Sequence, residues 1–210
     1  MTRQESEILG ILLGDGCMSW NHSSVHISIA GHKYEDREYL VEYVRPMFAK
    51  RFGISLKILY VKNQNSMIVY VRTKEVAMTL HEWEMPYGRK KLSNLTPNVA
   101  LDEARFIRGL FDTDGCIYRK YGPYLQIQFK SASSSLVEYA RLCLVKLGFS
   151  PTLIKRDDTK VRFFLSRQGE VNRFFEVIQP KNSKHLGRFR NLSKIVASST
   201  GPFRGISKTS

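Results

Sequence analysis

The stretch Ser6 to Met18 (SEILGILLGDGCM) is written a second time, with drift, as Ala104 to Tyr118 (ARFIRGLFDTDGCIY). Asp15, Gly16 and Cys17 match Asp114, Gly115 and Cys116 at a spacing of 99 residues, so the fold must be one that two equivalent halves can build. The surroundings run in parallel. Each Asp-Gly is followed by a short strand, a polar turn (Asn21 to Ser24; Tyr121 to Pro123) and a strand of alternating polarity, VHISIAG (Val25 to Gly31) or LQIQFKS (Leu125 to Ser131). Alternation of this kind marks a half-buried strand. Next come helices, Tyr34 to Arg51 and Ser133 to Leu147, ended by Phe52-Gly53 and Gly148-Phe149. Strands near Ile54 to Val61 and Met67 to Thr73 answer to Pro151 to Lys155 and Val161 to Ser166. A helix closes each half, Lys74 to Trp83 and Gly169 to Ile178.

The order is therefore αββαββα, twice: an α+β fold of two pseudo-symmetric halves, each with an antiparallel four-stranded sheet. Two copies of about 90 residues exceed the period of a solenoid repeat. Residues 1–85 form the first half, 86–102 a linker containing Pro86, Gly88 and Pro97, and 103–197 the second half. Residues 198–210, rich in Gly and Ser, read as a flexible tail.

Ile8 to Leu13 and Phe106 to Phe111 are apolar around most of the helix, which demands burial on nearly all sides. Gly10 and Gly109 stand one turn before the helix ends, where a missing side chain admits a neighbouring helix. Two such helices packed across a pseudo-two-fold axis would each deliver an Asp, Asp15 or Asp114, at the C-terminal end. A carboxylate there opposes the helix dipole, and a second one beside it adds repulsion. Divalent cations relieve both, since they favour carboxylate oxygen.

Lys and Arg outnumber Asp and Glu by 33 to 19, a net charge of +14, with aromatics (11%) interleaved among the cations. Such a balance fits a polyanionic partner, because cations meeting phosphates release condensed counterions. A 42% hydrophobic content excludes a disordered tail. Cys17, Cys116 and Cys143 show neither disulfide nor zinc spacing and are expected to be reduced and buried. No apolar run suits a membrane span and MTRQESE is no signal peptide, so the chain reads as intracellular, in cytoplasm or an organelle.

ILGILLGDG (Ile8 to Gly16) and IRGLFDTDG (Ile107 to Gly115) resemble the paired motifs of the LAGLIDADG homing endonucleases, single-chain type. The resemblance covers nearly the whole chain and implies a monomer that cuts both strands of DNA at a long, asymmetric site. It implies that Asp15 and Asp114 bind catalytic Mg²⁺ (Mn²⁺ being compatible), with the carbonyls of Gly14 and Thr113 as supporting ligands. It also implies a basic residue near each metal. Lys90 in YGRKKLS and Lys184 in PKNSKHLGR hold comparable places past the closing helices, with Lys91 and Lys181 as alternatives. The first motif departs from the pattern, having Leu13 where the second has Asp112, a position expected at a helix surface or interface.

With helices on one face of each sheet, the other faces would form a DNA-binding saddle for the major groove, which admits β-ribbons. On that face fall His26 and Ser28, then Gln126, Gln128 and Lys130, with Tyr70, Arg72, Arg162 and Ser166 on later strands and Lys57 and Arg156 beside them. The two sets differ, hence the asymmetric target. Two rival readings keep the fold: an RNA-binding, intron-splicing maturase, and a catalytically inactive DNA-binding relative. The nuclease alone requires both Asp15 and Asp114. No intein splicing blocks are seen, so the chain reads as free-standing or intron-encoded.

Overall fold

The computed structural model describes residues 1–21, 24–88, 90, 95–122 and 124–199. The N-terminal half runs α1 (Arg3–Gly14), β1 (Gly16–Asn21), β2 (Ser24–His32), a π-helical turn (Tyr39–Val44) continuous with α2 (Arg45–Phe52), β3 (Lys57–Tyr60), β4 (Ser66–Arg72) and α3 (Lys74–Glu82). The C-terminal half repeats it: α4 (Glu103–Asp114), β5 (Gly115–Tyr121), β6 (Tyr124–Ser131), α5 (Ser134–Lys146), β7 (Lys155–Asp157), β8 (Lys160–Leu165) and α6 (Gln168–Val177). A further helix, α7 (Ser183–Ser199), follows. The sheets are antiparallel, in the orders β1-β2-β4-β3 and β5-β6-β8-β7. The fold is α+β, with a four-stranded sheet and covering helices in each half. Among the described residues no helix is long and apolar enough to cross a membrane.

Several boundaries differ from the sequence reading, each for a local reason. The first long helix begins at Arg37 rather than Tyr34, because residues 33–36 form a turn that Asp36 closes on the His32 N–H, 2.8 Å. Pro46 has no N–H to give to a carbonyl four residues back. The chain before it is wound wider, with the Arg45 N–H reaching Leu40. Strand β7 starts at Lys155 rather than Pro151, since the Thr152 hydroxyl, not a backbone carbonyl, takes the Phe164 N–H at 3.0 Å. Helix α7 was not expected. Asn182 supports its start, accepting the Lys184 N–H, and Phe189 stacks on Phe175 with centroids 3.9 Å apart. Its end at Ser199 enters the expected tail, and residues 200–210 lie outside the described residues.

Helices α1 and α4 make the most extensive helix contact in the molecule. Gly10 lies on the backbone of α4, where an added Cβ would overlap the Phe106 carbonyl and stand 3.0 Å from the Leu110 nitrogen. Gly109 lies on α1 in the same way, against the Glu7 carbonyl and 2.7 Å from the Ile11 nitrogen. The obstacles are backbone, which cannot rotate aside. Both helices start from side-chain caps, Thr2 with Glu5 in a reciprocal capping box and Asp102 on the Arg105 N–H.

Away from the helix ends that carry Asp15 and Asp114, the pair encloses charge. Glu7 and Arg108, each buried, approach to 3.5 Å; the Tyr43 hydroxyl donates to Glu7 at 2.6 Å and Arg108 donates to the Ile178 carbonyl at 2.7 Å. The apolar core continues outward from α1 and α4 into each sheet, with Ile27, Ile29, Met67 and Val69 on one side and Phe111, Phe129, Phe163 and Phe174 on the other.

Gly109→Val should therefore destabilise the protein by about 3 kcal/mol or leave it unfolded, through overpacking against backbone. Gly187→Ala, in α7 with open space around the added methyl, should stabilise it by about 0.5–1 kcal/mol. Thermal melts of the two variants beside wild type check both signs.

Candidate metal and nucleic-acid site

Asp15 caps the C-terminus of α1 and Asp114 is the last residue of α4, so the helix pair brings both carboxylates to one end. Neither side chain accepts a hydrogen bond among the described residues. Burial, then repulsion from Asp114, pushes the Asp15 carboxyl up to about 7, against the pull of Lys90 and Lys184. Asp114 is raised as well, chiefly by burial, with Lys90, Lys160 and Lys184 opposing. Gly14 and Thr113, whose carbonyls were expected as supporting ligands, abut one another: a Cβ on Gly14 would overlap the Thr113 hydroxyl.

Lys90 reaches this point from beyond α3. Its ammonium donates to the carbonyls of Leu12 (3.2 Å), Leu13 (2.9 Å) and Gly14. It completes the end of α1 while its charge acts on both Asp residues. Burial lowers its pKa and the two carboxylates partly restore it. Lys184, at the start of α7, bonds Asp36 at 2.7 Å and acts on both Asp15 and Asp114. Of the alternatives, Lys181 acts electrostatically on Glu7, and Lys91 lies outside the described residues.

Two participants escaped the sequence reading. Asp36, assigned to a helix, lies in the turn before it and adds a third negative charge felt by Asp15. Lys160, which falls between the expected strands Pro151 to Lys155 and Val161 to Ser166, is felt by Asp114. Of the surface and interface expected for Asp112, the structure shows a buried contact: it is fully buried against the segment leading into α7 and accepts the N–H groups of Lys181 (2.8 Å) and Asn182 (3.1 Å). The Asn182 amide then donates to Asp36 at 2.9 Å, which ties the start of α7 to the opposite half. Burial holds the Asp112 carboxyl up at about 7.

The donor set fits a hard divalent cation. Two poorly compensated carboxylates and adjacent carbonyls are oxygen ligands. No group of three or more His, Cys, Asp or Glu side chains converges on one point among the described residues. A cation there would need oxygens from water or phosphate to complete its shell, which suits Mg²⁺.

Strand register defines the outer face of each sheet. In the first, Cys17, Ser28, Tyr70 and Lys57 form one cross-strand row, and Ser19, His26 and Arg72 the next. His26 and Tyr70 are in ring contact at 5.2 Å. In the second, Cys116, Gln128 and Phe164 form a row, flanked by Tyr118 with Gln126 and by Lys130, Arg162 and Lys155. Gln126 is buried, held between the Tyr118 hydroxyl (2.8 Å) and Ser166. Arg156 pairs with Val161, on the side of the apolar face, so Lys155 replaces it on the outer one. The cysteines need correcting too. Cys143 is buried, whereas Cys17 is exposed and Cys116 partly so, because both begin strands with their side chains on the outer rows. Trp20, exposed, stacks on Tyr87, while Trp83 is buried against Phe52.

Residues 102–179 match the profile of a LAGLIDADG-like domain, and residues 4–82 that of the WhiA LAGLIDADG-like domain. No curated protein matches the chain. Among solved structures, I-DmoI in complex with DNA and Mn superposes with a TM-score of 0.59 at 18% identity, over 84% of this chain and 96% of that one. The meganuclease I-AabMI bound to uncleaved DNA gives 0.61 at 16% identity, covering 95% and 93%. A mutant of I-SmaMI gives 0.65 at 12% identity, covering 95% and 92%. I-DmoI is also known with DNA and Ca, and a point variant of it with its target DNA and Mg. At these identities the likeness concerns the fold.

The raised Asp15 pKa has a measurable consequence. Between about pH 4 and 7 the folded chain keeps a proton that the unfolded chain has released, so this group's contribution to stability falls as pH rises through that window. In metal-free buffer at pH 8, Asp15→Asn should be more stable than wild type by about 1–2 kcal/mol, the difference shrinking towards pH 5. Melting curves across that range check it. Affinity for Mg²⁺ should rise with pH up to about 7 and then level, because the cation displaces the proton.

Proposed function

We propose that this chain, which belongs to the LAGLIDADG family with one such domain in each half, is a site-specific DNA endonuclease of the homing type. It would hydrolyse phosphodiesters on both strands of a long, asymmetric target. One observation carries the reading: two half-buried carboxylates from equivalent helices are brought to one end, at the junction of two halves whose sheets present different rows of basic, amide and aromatic side chains. A protein needing only to bind nucleic acid would gain nothing from such a repelling pair.

In this reading Asp15 and Asp114 hold divalent ions, Mg²⁺ or Mn²⁺, with the carbonyls of Gly14 and Thr113 in support. The bound ions supply Lewis-acid activation of water and neutralise charge on the leaving oxygen. The chain's own groups do the rest. Lys90 and Lys184 set positive charge where the phosphate gains negative charge. Lys184 is oriented by Asp36, and Lys90 by the carbonyls it caps. The paired helices fix the spacing of the two carboxylates, and the outer faces hold the duplex by base-edge and phosphate contacts. His26, Ser28, Lys57, Tyr70, Arg72, Gln128, Lys130 and Arg162 are the proposed contacts, with Lys155 in place of Arg156. Gln126 and Ser166 would first act through each other.

A second reading rests on a specific feature. The Lys90 ammonium lies on the Gly14 carbonyl, the oxygen proposed as a metal ligand, so an internal cation already serves that end of α1. A metal-free, DNA-binding relative would use it in this way.

Purified protein incubated with Mg²⁺ and a pool of long duplex inserts, with the cut ends sequenced, separates the two. The nuclease reading expects one asymmetric site cut on both strands, with cutting reduced at least about a hundredfold in Asp15→Asn or Asp114→Asn. Selective retention of DNA without cut ends, unchanged in both variants and indifferent to Mg²⁺, would establish the binding protein instead.

A further inference from the structure

The outer rows of the two sheets are not equally ordered. In the N-terminal sheet, Lys57 and Arg72 make no side-chain hydrogen bond or ion pair among the described residues. In the C-terminal sheet the corresponding cations are held. The Asp157 carboxylate, on β7, forms ion pairs with Lys130 at 2.5 Å and with Arg162 at 3.1 Å. Arg162 is fixed from a second side, its guanidinium lying 5.4 Å from the centre of the Phe164 ring. Its Nε is buried without a hydrogen-bond partner, which leaves the Nη groups as the working edge.

The three residues come from β6, β7 and β8, and their side chains share the face that carries Gln128. All three are about one-third exposed. The cluster is linked to the chemistry through Lys160, the register partner of Asp157, which is felt electrostatically by Asp114.

A carboxylate among cations on a phosphate-binding surface weakens attraction to the backbone. Its gain must lie elsewhere. An Arg or Lys whose head is tethered reads a guanine edge through O6 and N7 rather than roaming among phosphates, and a carboxylate accepts from the cytosine N4 amino group. Only one Asp157 oxygen is used by the two cations, and the other is free to accept.

We propose that Asp157 is a specificity-determining residue, which holds Lys130 and Arg162 so that the cluster reads a G·C pair close to the cut. This rests on the DNA-binding part of the reading above, and not on cleavage. The site is a pre-organised donor–acceptor–donor arrangement, whose ordering cost is met before DNA arrives.

The experiment is a binding selection, with Ca²⁺ present, on a duplex library built on the wild-type target and randomised one base pair at a time. Asp157→Asn and Arg162→Lys are compared with wild type. Asp157→Asn should lose about tenfold of its G·C preference at one pair, or two adjacent pairs, under the C-terminal half. Preference elsewhere should persist, and retention of unrelated DNA should rise. Arg162→Lys, which keeps the charge but not the fork, should lose preference at the same place without the rise. A wild type with clear preferences and an unchanged Asp157→Asn profile overturns the proposal alone, as does an equal loss at every position. A wild type with no base preference overturns the DNA-reading function along with it.

Discussion

Everything in this molecule is referred to the contact between α1 and α4. The two helices touch backbone to backbone at Gly10 and Gly109, closer than any side chain permits. Close approach makes the apolar surfaces of both helices one continuous core. It also fixes the distance between the helix ends. Asp15 and Asp114 are neighbours because the helices that carry them cannot stand further apart without opening that core. The electrostatic cost at the ends is thus borne by packing along the length. The raised carboxyl pKa values record that cost: burial at both ends and, at Asp15, the charge of Asp114.

Polar links then hold the halves in one orientation. At one end Glu7 joins Tyr43 from its own half to Arg108 from the other. At the other, the start of α7 bridges across: Asn182 bonds both Asp112 and Asp36, and Lys184 bonds Asp36. Buried polar groups of this kind add little net stability, but each specifies a single arrangement, since any slip leaves a charge unpaired. The two sheets therefore stand at a set angle about the helix pair, as a surface that follows a duplex requires. Against this fixed frame the rows on the sheets are free to differ, tethered in one half and loose in the other.

The element order was legible because each segment announces its period. Alternation at Val25 to Gly31 and Leu125 to Ser131 can only be strand, and the glycine stops at Gly53 and Gly148, both at positive φ, mark helix ends. The repeat made Asp15 and Asp114 legible in turn, since neither stands out alone. What escaped lies where a single contact overrides the local pattern. Pro46 and the Asp36 turn delayed a helix. The Thr152 hydroxyl displaced the start of β7, so the strand runs on through Arg156 and turns that side chain toward the apolar face, leaving Lys155 on the outer one. Helix α7 was hidden by Gly187 and a polar composition, although His185, Phe189 and Leu192 recur at helical spacing. Asp36 and Lys160 could not be found by periodicity, because tertiary proximity alone brings them to the paired carboxylates.

The central claim is that the helix pair exists to present two carboxylates to divalent cations on DNA. Anomalous scattering from crystals of the protein with its selected duplex and Mn²⁺ addresses it directly. Manganese is expected within bonding distance of Asp15 and Asp114 and of phosphate oxygens from both strands. Well-ordered duplex on the two sheets with no manganese at those carboxylates, and the Lys90 ammonium still on Gly14, would contradict it.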